Sequence, residues 1–249
     1  IKKAQYDHFL LTDVDCVPSS DQWLKHMATQ FTREKQIVLG AAPLRTSSGF
    51  LGALIHHENL LTAMHYLGLA ASGKPYMGVG RNLAYVRSLF NRHKGFSTHH
   101  HLLSGDDDLF VNQAAHAGNT AVCLHPQTFT YSEPKTTFEA WLYQKKRHLS
   151  TGRHYKPLHK FLLGLYAGSH TAFWLTALAA LFLSNHLLVF ILPLFLLRML
   201  VMTITWVQVL KKLEQQDLLL WLWILDPACL LYYFISLKNT FSRTDISWK

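Results

Sequence analysis

The sequence predicts an α/β domain over residues 1–160, followed by a membrane region of two to three helices over residues 161–249. In the first part, short apolar runs that suit strands alternate with amphipathic stretches that suit helices. In the second part, three apolar stretches of about 20 residues are each long enough to cross a bilayer. Between the two parts, residues 145–160 hold six Lys or Arg and no acid, which is typical of the cytoplasmic side of a membrane span.

The composition favours a basic, membrane-associated protein. Hydrophobic residues make up 49% of the chain and charged residues only 16%, which is low for a soluble domain, and the net charge is +9. Cys16, Cys123 and Cys229 have no paired spacing, so they indicate neither a disulfide framework nor a zinc site, and a reducing compartment fits. The chain begins at Ile1 and opens almost directly on a strand, and we therefore expect it to be a fragment of a longer protein.

The elements of the first part are predicted from short apolar runs and from apolar positions at helical spacing. The predicted strands are 9–11, 36–42, 75–77 and 120–124, and the predicted helices are 21–31, 50–69, 82–90, 110–115 and 137–150. The helix at 50–69 is amphipathic, and packing in a core is favoured over lying on a membrane surface. A turn is predicted at 131–134, where Pro134 follows polar residues.

Two carboxylates follow the first predicted strand. Asp13 and Asp15 stand two residues apart where the apolar run 9–11 ends. In open α/β sheets, ligands bind beyond the carboxyl ends of strands, and hard oxygen ligands there suit a Mg²⁺ or Mn²⁺ ion that also holds a phosphate. The alternative is that both aspartates are solvated turn residues.

A second acidic cluster, formed by Asp106, Asp107 and Asp108, precedes the helix at 110–115. One or two acids at this place would simply complement the helix dipole. Three in a row repel each other unless nearby cations or a functional role compensate. The cluster is therefore a candidate site.

Two further motifs carry weaker signals. Gly78 and Gly80 lack the third glycine of a dinucleotide fingerprint, and we interpret them as allowing a close approach of the backbone to a ligand or a neighbouring element. The histidines at 99–101 are interpreted as a polar loop, because consecutive side chains point in different directions and no spaced partner is present.

Three polar side chains share one face of the predicted helix at 137–150. Gln144, Arg147 and His148 are spaced i, i+3 and i+4, so an amide, a guanidinium and an imidazole can bind one anionic ligand together. Lys145 and Lys146 are expected to point elsewhere, to solvent or lipid headgroups.

Arg198 and Asp226 lie near the middle of the second and third apolar stretches. A charge at this depth costs about 2.5–3.5 kcal/mol on insertion scales, so each should face protein, water or a partner. If these stretches form an antiparallel helix pair, the two residues lie at similar depth, which predicts an ion pair. The alternative is that Arg198 snorkels to an interface and Asp226 caps a helix break before Pro227.

The three motifs resemble, in kind and in order, those of membrane-embedded family 2 glycosyltransferases, such as cellulose, hyaluronan and chitin synthases and ceramide glucosyltransferase. That family carries D-x-D, then T-E-D or a variant before Asp-Leu, then Q-x-x-R-W, and transmembrane helices follow. The corresponding segments here are 13–15, 104–109 and 144–148. The resemblance implies a partial glycosyltransferase-A-type domain with a mixed sheet, in which the first half of the domain, which holds the nucleotide base, is missing.

The resemblance also implies roles for the acidic residues. Asp15 would ligate the Mg²⁺ or Mn²⁺ ion, and Asp13 would contact the ribose of the nucleotide or the metal. Asp106 would be the catalytic base that accepts the proton of the acceptor hydroxyl. Asp107 would lie beside it in the substrate site and raise its proton affinity.

The helix at 137–150 would complete the site. Gln144 and Arg147 would face the diphosphate and the acceptor, and the guanidinium would stabilise the charge of the leaving group. His148, also counted among the substrate-binding residues, stands where the family has Trp. This difference argues against the family's sugar-stacking contact and, with it, against polymer synthesis.

The implied function is inverting transfer of a sugar from a nucleotide-diphosphate sugar, a UDP-sugar, to a lipid or glycan acceptor at the cytoplasmic face of the plasma (inner) membrane. The implied partners are the donor, the acceptor and membrane lipids, with no nucleic acid. Two other classes are compatible with the residues: a membrane-anchored scaffold or transport subunit that binds anionic headgroups, and a metal-dependent phosphotransferase. Because half of the nucleotide site would be missing, we expect residues 1–249 to be inactive alone.

Overall fold

The computed structural model describes residues 3–98, 102, 104–180, 182 and 185–241, with backbone only at 185–187 and 235–241. It confirms the predicted fold class, an α/β domain with a mixed sheet followed by long apolar helices. The strands are β1 (His8–Leu11), β2 (Val17–Pro18), β3 (Ile37–Gly40), β4 (Leu83–Val86), β5 (Thr120–Cys123) and β6 (Thr130–Tyr131). The α-helices are α1 (Trp23–Ala28), α2 (Gly49–Ala71), α3 (Arg87–Arg92), α4 (Asp108–Ala114), α5 (Phe138–Leu149), α6 (Pro157–Ala180), α7 (Asn185–Lys212) and α8 (Leu222–Phe241).

The main sheet has four strands in the order β1-β4-β3-β5. β4 runs antiparallel to β1 and β3, whereas β3 and β5 are parallel. In register, Leu83 at the start of β4 lies opposite Leu11 at the end of β1 and opposite Leu39 near the end of β3. The ends of β1, β3 and β5 and the start of β4 therefore meet at one edge, which we call the carboxyl edge.

The structure differs from the sequence prediction beside this edge. Leu83–Val86 is strand β4 and not the first part of a helix. Pairing with β1 on one side and β3 on the other overrides the helical pattern of this largely buried apolar run. The predicted strand at 75–77 has no regular structure, and the Tyr76 carbonyl instead accepts a hydrogen bond of 2.7 Å from the Asn112 side chain.

Other predicted segments agree more closely with the structure. α2 and α5 correspond to the helices predicted at 50–69 and 137–150, and α1 is shorter than the helix predicted at 21–31. The turn predicted at 131–134 is wrong at its start, because Tyr131 belongs to β6 and pairs with β2. The histidines at 99–101 lie outside the described residues.

α2 is packed in the core, as predicted, and it carries buried polar side chains toward the neighbouring helices. Glu58 forms an ion pair with Lys145 of α5. The ring of His57 stacks on Trp206 of α7, with 4.4 Å between the ring centroids, and its Nδ1 lies 3.3 Å from the Cys229 sulfur of α8. One hydrophobic cluster runs without interruption from the sheet through α2 to α7 and α8. The sheet and the apolar helices therefore share a core.

Three helical segments are long and apolar enough to cross a membrane by length and composition. They are Pro157–Ala180, Leu188–Lys212 and Gln216–Phe234. Large apolar side chains point outward from them, among them Leu165, Leu194 and Trp223. Exposed apolar surface on this scale marks a surface that contacts lipid or another protein, which agrees with the predicted membrane region.

The predicted ion pair between Arg198 and Asp226 is confirmed. Nη1 and Nη2 of Arg198 donate to Oδ2 and Oδ1 of Asp226 at 2.7 and 3.2 Å. Asp226 Oδ2 also accepts from Trp174 Nε1 at 2.9 Å and lies 3.2 Å from His170 Nε2. α8 continues through Pro227, so the alternative of a helix break there is wrong. One carboxylate thus joins α6, α7 and α8.

We expect each charge of this pair to be harmful without the other. Arg198→Met removes two donors from a buried carboxylate, and Asp226→Leu leaves a guanidinium uncompensated among apolar helices. Breaking a buried pair in this way costs up to about 3–5 kcal/mol. The double variant removes both charges, so in detergent it should melt at a higher temperature than either single variant. If the losses in melting temperature simply add in the double variant, the two residues are not energetically coupled.

Candidate functional site

The first carboxylate motif forms a turn at the carboxyl edge. β1 ends at Leu11, and the turn closes with a 3.1 Å hydrogen bond from Cys16 N to the Asp13 carbonyl. One donor atom from each of Asp13, Asp15 and Cys16 lies within 4.8 Å of the others. Both aspartates are exposed and the cysteine is half-buried. These three side chains could hold one metal ion.

Gly80 joins the first motif to the second. It begins a short 3₁₀ turn just before β4, and its N–H donates to Asp107 Oδ2 at 2.6 Å. A Cβ added to this glycine would lie 3.4 Å from Asp107 Oδ2 and 3.7 Å from Asp13 Oδ1. The structure therefore brings Asp13 and Asp107 close to one glycine, where an added Cβ would make ordinary van der Waals contacts with both carboxylates.

The three consecutive aspartates have three different environments. Asp106 is exposed. Asp107 caps α4 and accepts hydrogen bonds from Gly80 N and, at 2.7 Å, from Asp108 N. Asp108 is buried and accepts from the hydroxyls of Thr151 and Tyr155. Burial, and then the charge of Asp108, raises the pKa of Asp107. The mutual repulsion expected for three acids is thus offset by the hydrogen bonds that Asp107 and Asp108 accept.

Two guanidinium groups offset the negative charge at Asp13. Partial burial raises the pKa of Asp13, and the charges of Asp15 and Asp106 act in the same direction. Arg81 and, more weakly, Arg147 act in the opposite direction. Charges from both carboxylate motifs and from both arginines therefore act on the carboxyl group of Asp13.

Arg81 is a site residue that the sequence analysis missed. Its Nη1 donates to the buried Ser132 hydroxyl at 2.8 Å, and its carbonyl accepts from the Thr130 hydroxyl at 2.9 Å. These contacts fix the arginine beside the turn of the first motif. A signal was present, since a basic residue directly follows Gly78–Gly80, but that segment was interpreted through its glycines alone.

α5 is held on α2 by two contacts. Trp141 is 1% exposed and packs with Leu44 and Ile55, and Lys145 pairs with the buried Glu58. The expectation that Lys145 points to solvent or headgroups is wrong, because a carboxylate inside the core requires a charged partner.

The same helix carries the three polar residues predicted to share a face. Arg147 and Gln144 are half-buried, and His148 is exposed one turn after Gln144. Of these three, Arg147 is the residue whose charge acts on Asp13. The prediction that Gln144 and Arg147 face a diphosphate and an acceptor stays a prediction.

Asn82 ties the strands of the carboxyl edge together. Its buried Nδ2 donates to the carbonyls of Ala41 and Thr128 at 2.7 and 2.6 Å, and its Oδ1 accepts from Trp23 Nε1 at 3.2 Å. The amide fits against Gly40, where any Cβ would overlap it. Both polar atoms of the buried Asn82 amide thus have hydrogen-bond partners, and these bonds connect the chain segments at the carboxyl edge.

A family model described as glycosyl transferase family 21 matches residues 1–249, which is the whole chain. The chain belongs to glycosyl transferase family 21. This membership supports the glycosyltransferase prediction at the level of the enzyme class. The assignment to family 2 is not confirmed, because the match is to family 21.

Comparisons of this family 21 chain with curated protein sequences and with solved structures gave two further findings. No curated protein sequence matches it. Among solved structures, it is similar to a mannosyltransferase from Pyrobaculum calidifontis in complex with GDP-Man and Mn²⁺, with a TM-score of 0.46 and 16% identity. The alignment covers 93% of this chain and 64% of the length of that protein.

We expect Gly40→Ala to disturb the carboxyl edge. The added Cβ would lie 2.6 Å from Asn82 Oδ1, and Asn82 cannot move away without losing hydrogen bonds, so the free energy of unfolding should fall by about 1–3 kcal/mol. The matched control is Gly68→Ala in α2, where nothing lies within 4 Å of the new Cβ and where stability should rise by about 0.5–1 kcal/mol. Thermal unfolding of both variants measures the two effects, and equal effects would contradict the role of Asn82.

Proposed function

We propose that the chain is part of an enzyme that transfers a sugar, with inversion, from a nucleotide-diphosphate sugar to a lipid or glycan acceptor. The observation that carries the proposal is a family 21 chain in which two carboxylate motifs meet two guanidinium groups at one sheet edge. The nucleotide would be a uridine diphosphate, as the motif resemblance implies. Membership in a glycosyltransferase family favours this function over the scaffold and phosphotransferase alternatives.

Asp13 and Asp15 would hold a divalent cation at the carboxyl edge. Their donor atoms and the Cys16 sulfur lie within 4.8 Å of one another, a spacing that lets them converge on one ion. Two carboxylates are hard oxygen donors, which fit Mg²⁺ or Mn²⁺. We assign Asp15 as the ligand and Asp13 as a contact to the ribose or the metal. When bound, the cation would neutralise charge on the diphosphate.

Arg147 and Arg81 would stabilise the leaving diphosphate. Negative charge builds on the nucleoside diphosphate as the bond to the sugar breaks, and guanidinium groups already fixed in place lower the cost of that charge. Arg81 is fixed by Ser132, and Arg147 lies on a helix that is anchored in the core. Gln144 and His148, on the same face, would bind the diphosphate or the acceptor.

Asp106 would be the base that takes the proton of the acceptor hydroxyl. It is exposed, so an acceptor can reach it, and its charge acts on Asp13 beside the proposed metal. Asp107 competes for the role, because burial raises its pKa and hence its affinity for a proton. Two backbone N–H groups already occupy Asp107, which favours Asp106 as base and Asp107 as a substrate-site residue.

The membrane helices would place this site beside a bilayer. α6 begins at Pro157, within the basic segment 145–160 that indicates the cytoplasmic side. We therefore propose residues 1–160 as the C-terminal part of a catalytic domain in the cytoplasm and residues 161–249 as its anchor in the plasma (inner) membrane. A lipid acceptor would reach the site from this bilayer, and a glycan acceptor from the cytoplasm.

The test is release of UDP from a UDP-sugar by the full-length protein, with and without Mn²⁺. Release should require the metal, and Asp15→Asn should lower it on the order of 100-fold or more, because a catalytic cation supplies several kcal/mol. Asp21→Asn changes an exposed acid outside the metal group and should leave the rate unchanged. Equal release of UDP with and without the metal, or no release under either condition, would contradict the proposal.

The assignment of the base is tested by two neighbouring variants. Asp106→Asn should lower kcat by about 10²–10⁴, the usual contribution of a general base, while donor binding survives. Asp107→Asn keeps the shape of the side chain but loses one of two accepted hydrogen bonds, so the displaced group should lower kcat by about 10-fold to 100-fold and change the donor KM little. If instead Asp106→Asn turns over normally and Asp107→Asn does not, the base is Asp107.

A further inference from the structure

The first turn of α4 is attached to the segment that leads into α6. Asp108 and Asn112 are four residues apart, so they lie on one face of α4. Both side chains are buried, with 7% and 4% exposure. Both contact residues between the end of α5 and the start of α6, so α4 docks on this segment through two polar side chains.

The Asp108 carboxylate is held by two hydroxyls. Its Oδ2 accepts from Thr151 Oγ1 and from Tyr155 OH, each at 2.5 Å, and its Oδ1 accepts from Leu109 N at 2.8 Å. The Thr151 hydroxyl also lies 2.7 Å from the His148 carbonyl, so the same residue touches the last turn of α5. Thr151 is 1% exposed, so its hydroxyl is shielded from solvent.

Asn112 repeats the attachment one turn later. Its Nδ2 lies 3.0 Å from His159 Nδ1 and donates to the Tyr76 carbonyl at 2.7 Å. Its Oδ1 accepts from Lys156 N at 3.0 Å. The start of α6 is therefore bound to α4 through both main chain and side chain.

We call Asp108, Thr151 and Tyr155 the clamp, and the Tyr155 phenol is a donor in it. Burial, and then the charge of Asp108, raises the pKa of Tyr155 well above its usual value, so the phenol stays a donor. Burying a carboxylate is costly unless its lone pairs are satisfied. An apolar residue at position 108 would pack more cheaply, so stability alone gives no reason for this arrangement.

We propose that Asp108, Thr151 and Tyr155 are positioning residues that fix the carboxylate of Asp107 at the sugar-transfer site. The path is short. The hydroxyls hold the Asp108 side chain, and Asp108 N–H in turn donates to Asp107 Oδ1, while Gly80 N–H holds the other oxygen. Moving Asp108 therefore moves Asp107 relative to Gly80 and to Asp13 beside that glycine. The inference rests on the proposed function, since it assigns the clamp to that reaction.

The same contacts couple the site to the membrane region. Thr151 and Tyr155 stand between α5, which carries Arg147, and α6, the first apolar helix. A displacement of α6 is transmitted to Asp107 through the clamp and to Arg147 through the Thr151 contact with the last turn of α5.

The test uses the full-length protein in a bilayer, with the kinetics of UDP release as the first measurement. Thr151→Val and Tyr155→Phe each remove one hydroxyl with little change of volume. A misplacement of about 1 Å can cost on the order of 100-fold in rate, so we expect kcat to fall between about 10-fold and 100-fold with the donor KM within about twofold. Thr151→Ser, which keeps the hydroxyl, should restore most of kcat. Thr176→Val is the matched control, because the exposed Thr176 hydroxyl lies on α6 and donates to the carbonyls of Ala172 and Phe173 in the same helix.

Amide hydrogen exchange is the second measurement, and it separates the clamp from the proposed function. Thr151→Val and Tyr155→Phe should speed exchange in residues 106–112 and leave β3 unchanged, whether or not the protein transfers sugar. The proposal is overturned if the exchange rate in 106–112 stays at the wild-type level or rises equally in β3. It is also overturned if the kcat of Thr151→Ser is as low as the kcat of Thr151→Val. Failure of UDP release in the unmodified protein with the exchange result intact would refute the proposed function and keep only the structural clamp.

Discussion

The hydrogen bond from Gly80 N–H to the Asp107 carboxylate is the contact on which the site geometry depends. β1 and β4 are antiparallel, so the turn that follows β1 and the turn that precedes β4 meet at the carboxyl edge. Gly80 lies in the second turn, next to Asp13 in the first, and α4 begins with its cap on that glycine. The like charges of the two carboxylate motifs repel each other, and this hydrogen bond holds the second motif beside the first against that repulsion.

α2 extends this constraint from the sheet to the apolar helices. Its buried Glu58 is tolerated because Lys145 reaches it from α5, and the pair fixes the helix that carries Arg147. The ring of His57, the residue before Glu58, stacks on Trp206 of α7. Burying an ion pair contributes little net stability compared with apolar packing, so its value here lies in setting the position of α5. The contacts of α2 thus connect the helix that carries Arg147 to the apolar helices.

The parts of the fold and site that could be predicted from the sequence depend on local patterns. Asp13 and Asp15 follow a short apolar strand, and that order alone puts them at a sheet edge. The parts that were missed depend on distant partners. Leu83–Val86 fits a helix or a strand by pattern, and pairing on both sides decides it. Arg81 and Lys145 were not placed correctly, because their partners lie far away in the chain and meet them only after the sheet has formed.

We propose that one metal ion and one diphosphate bind between the two carboxylate motifs. A structure of the full-length protein with Mn²⁺ and UDP, in which the anomalous signal of manganese locates the ion, tests this most directly. The ion should lie at coordination distance from Asp15, with the diphosphate between it and the guanidinium of Arg147. An ion or a diphosphate bound away from Asp13 and Asp15 would contradict the account.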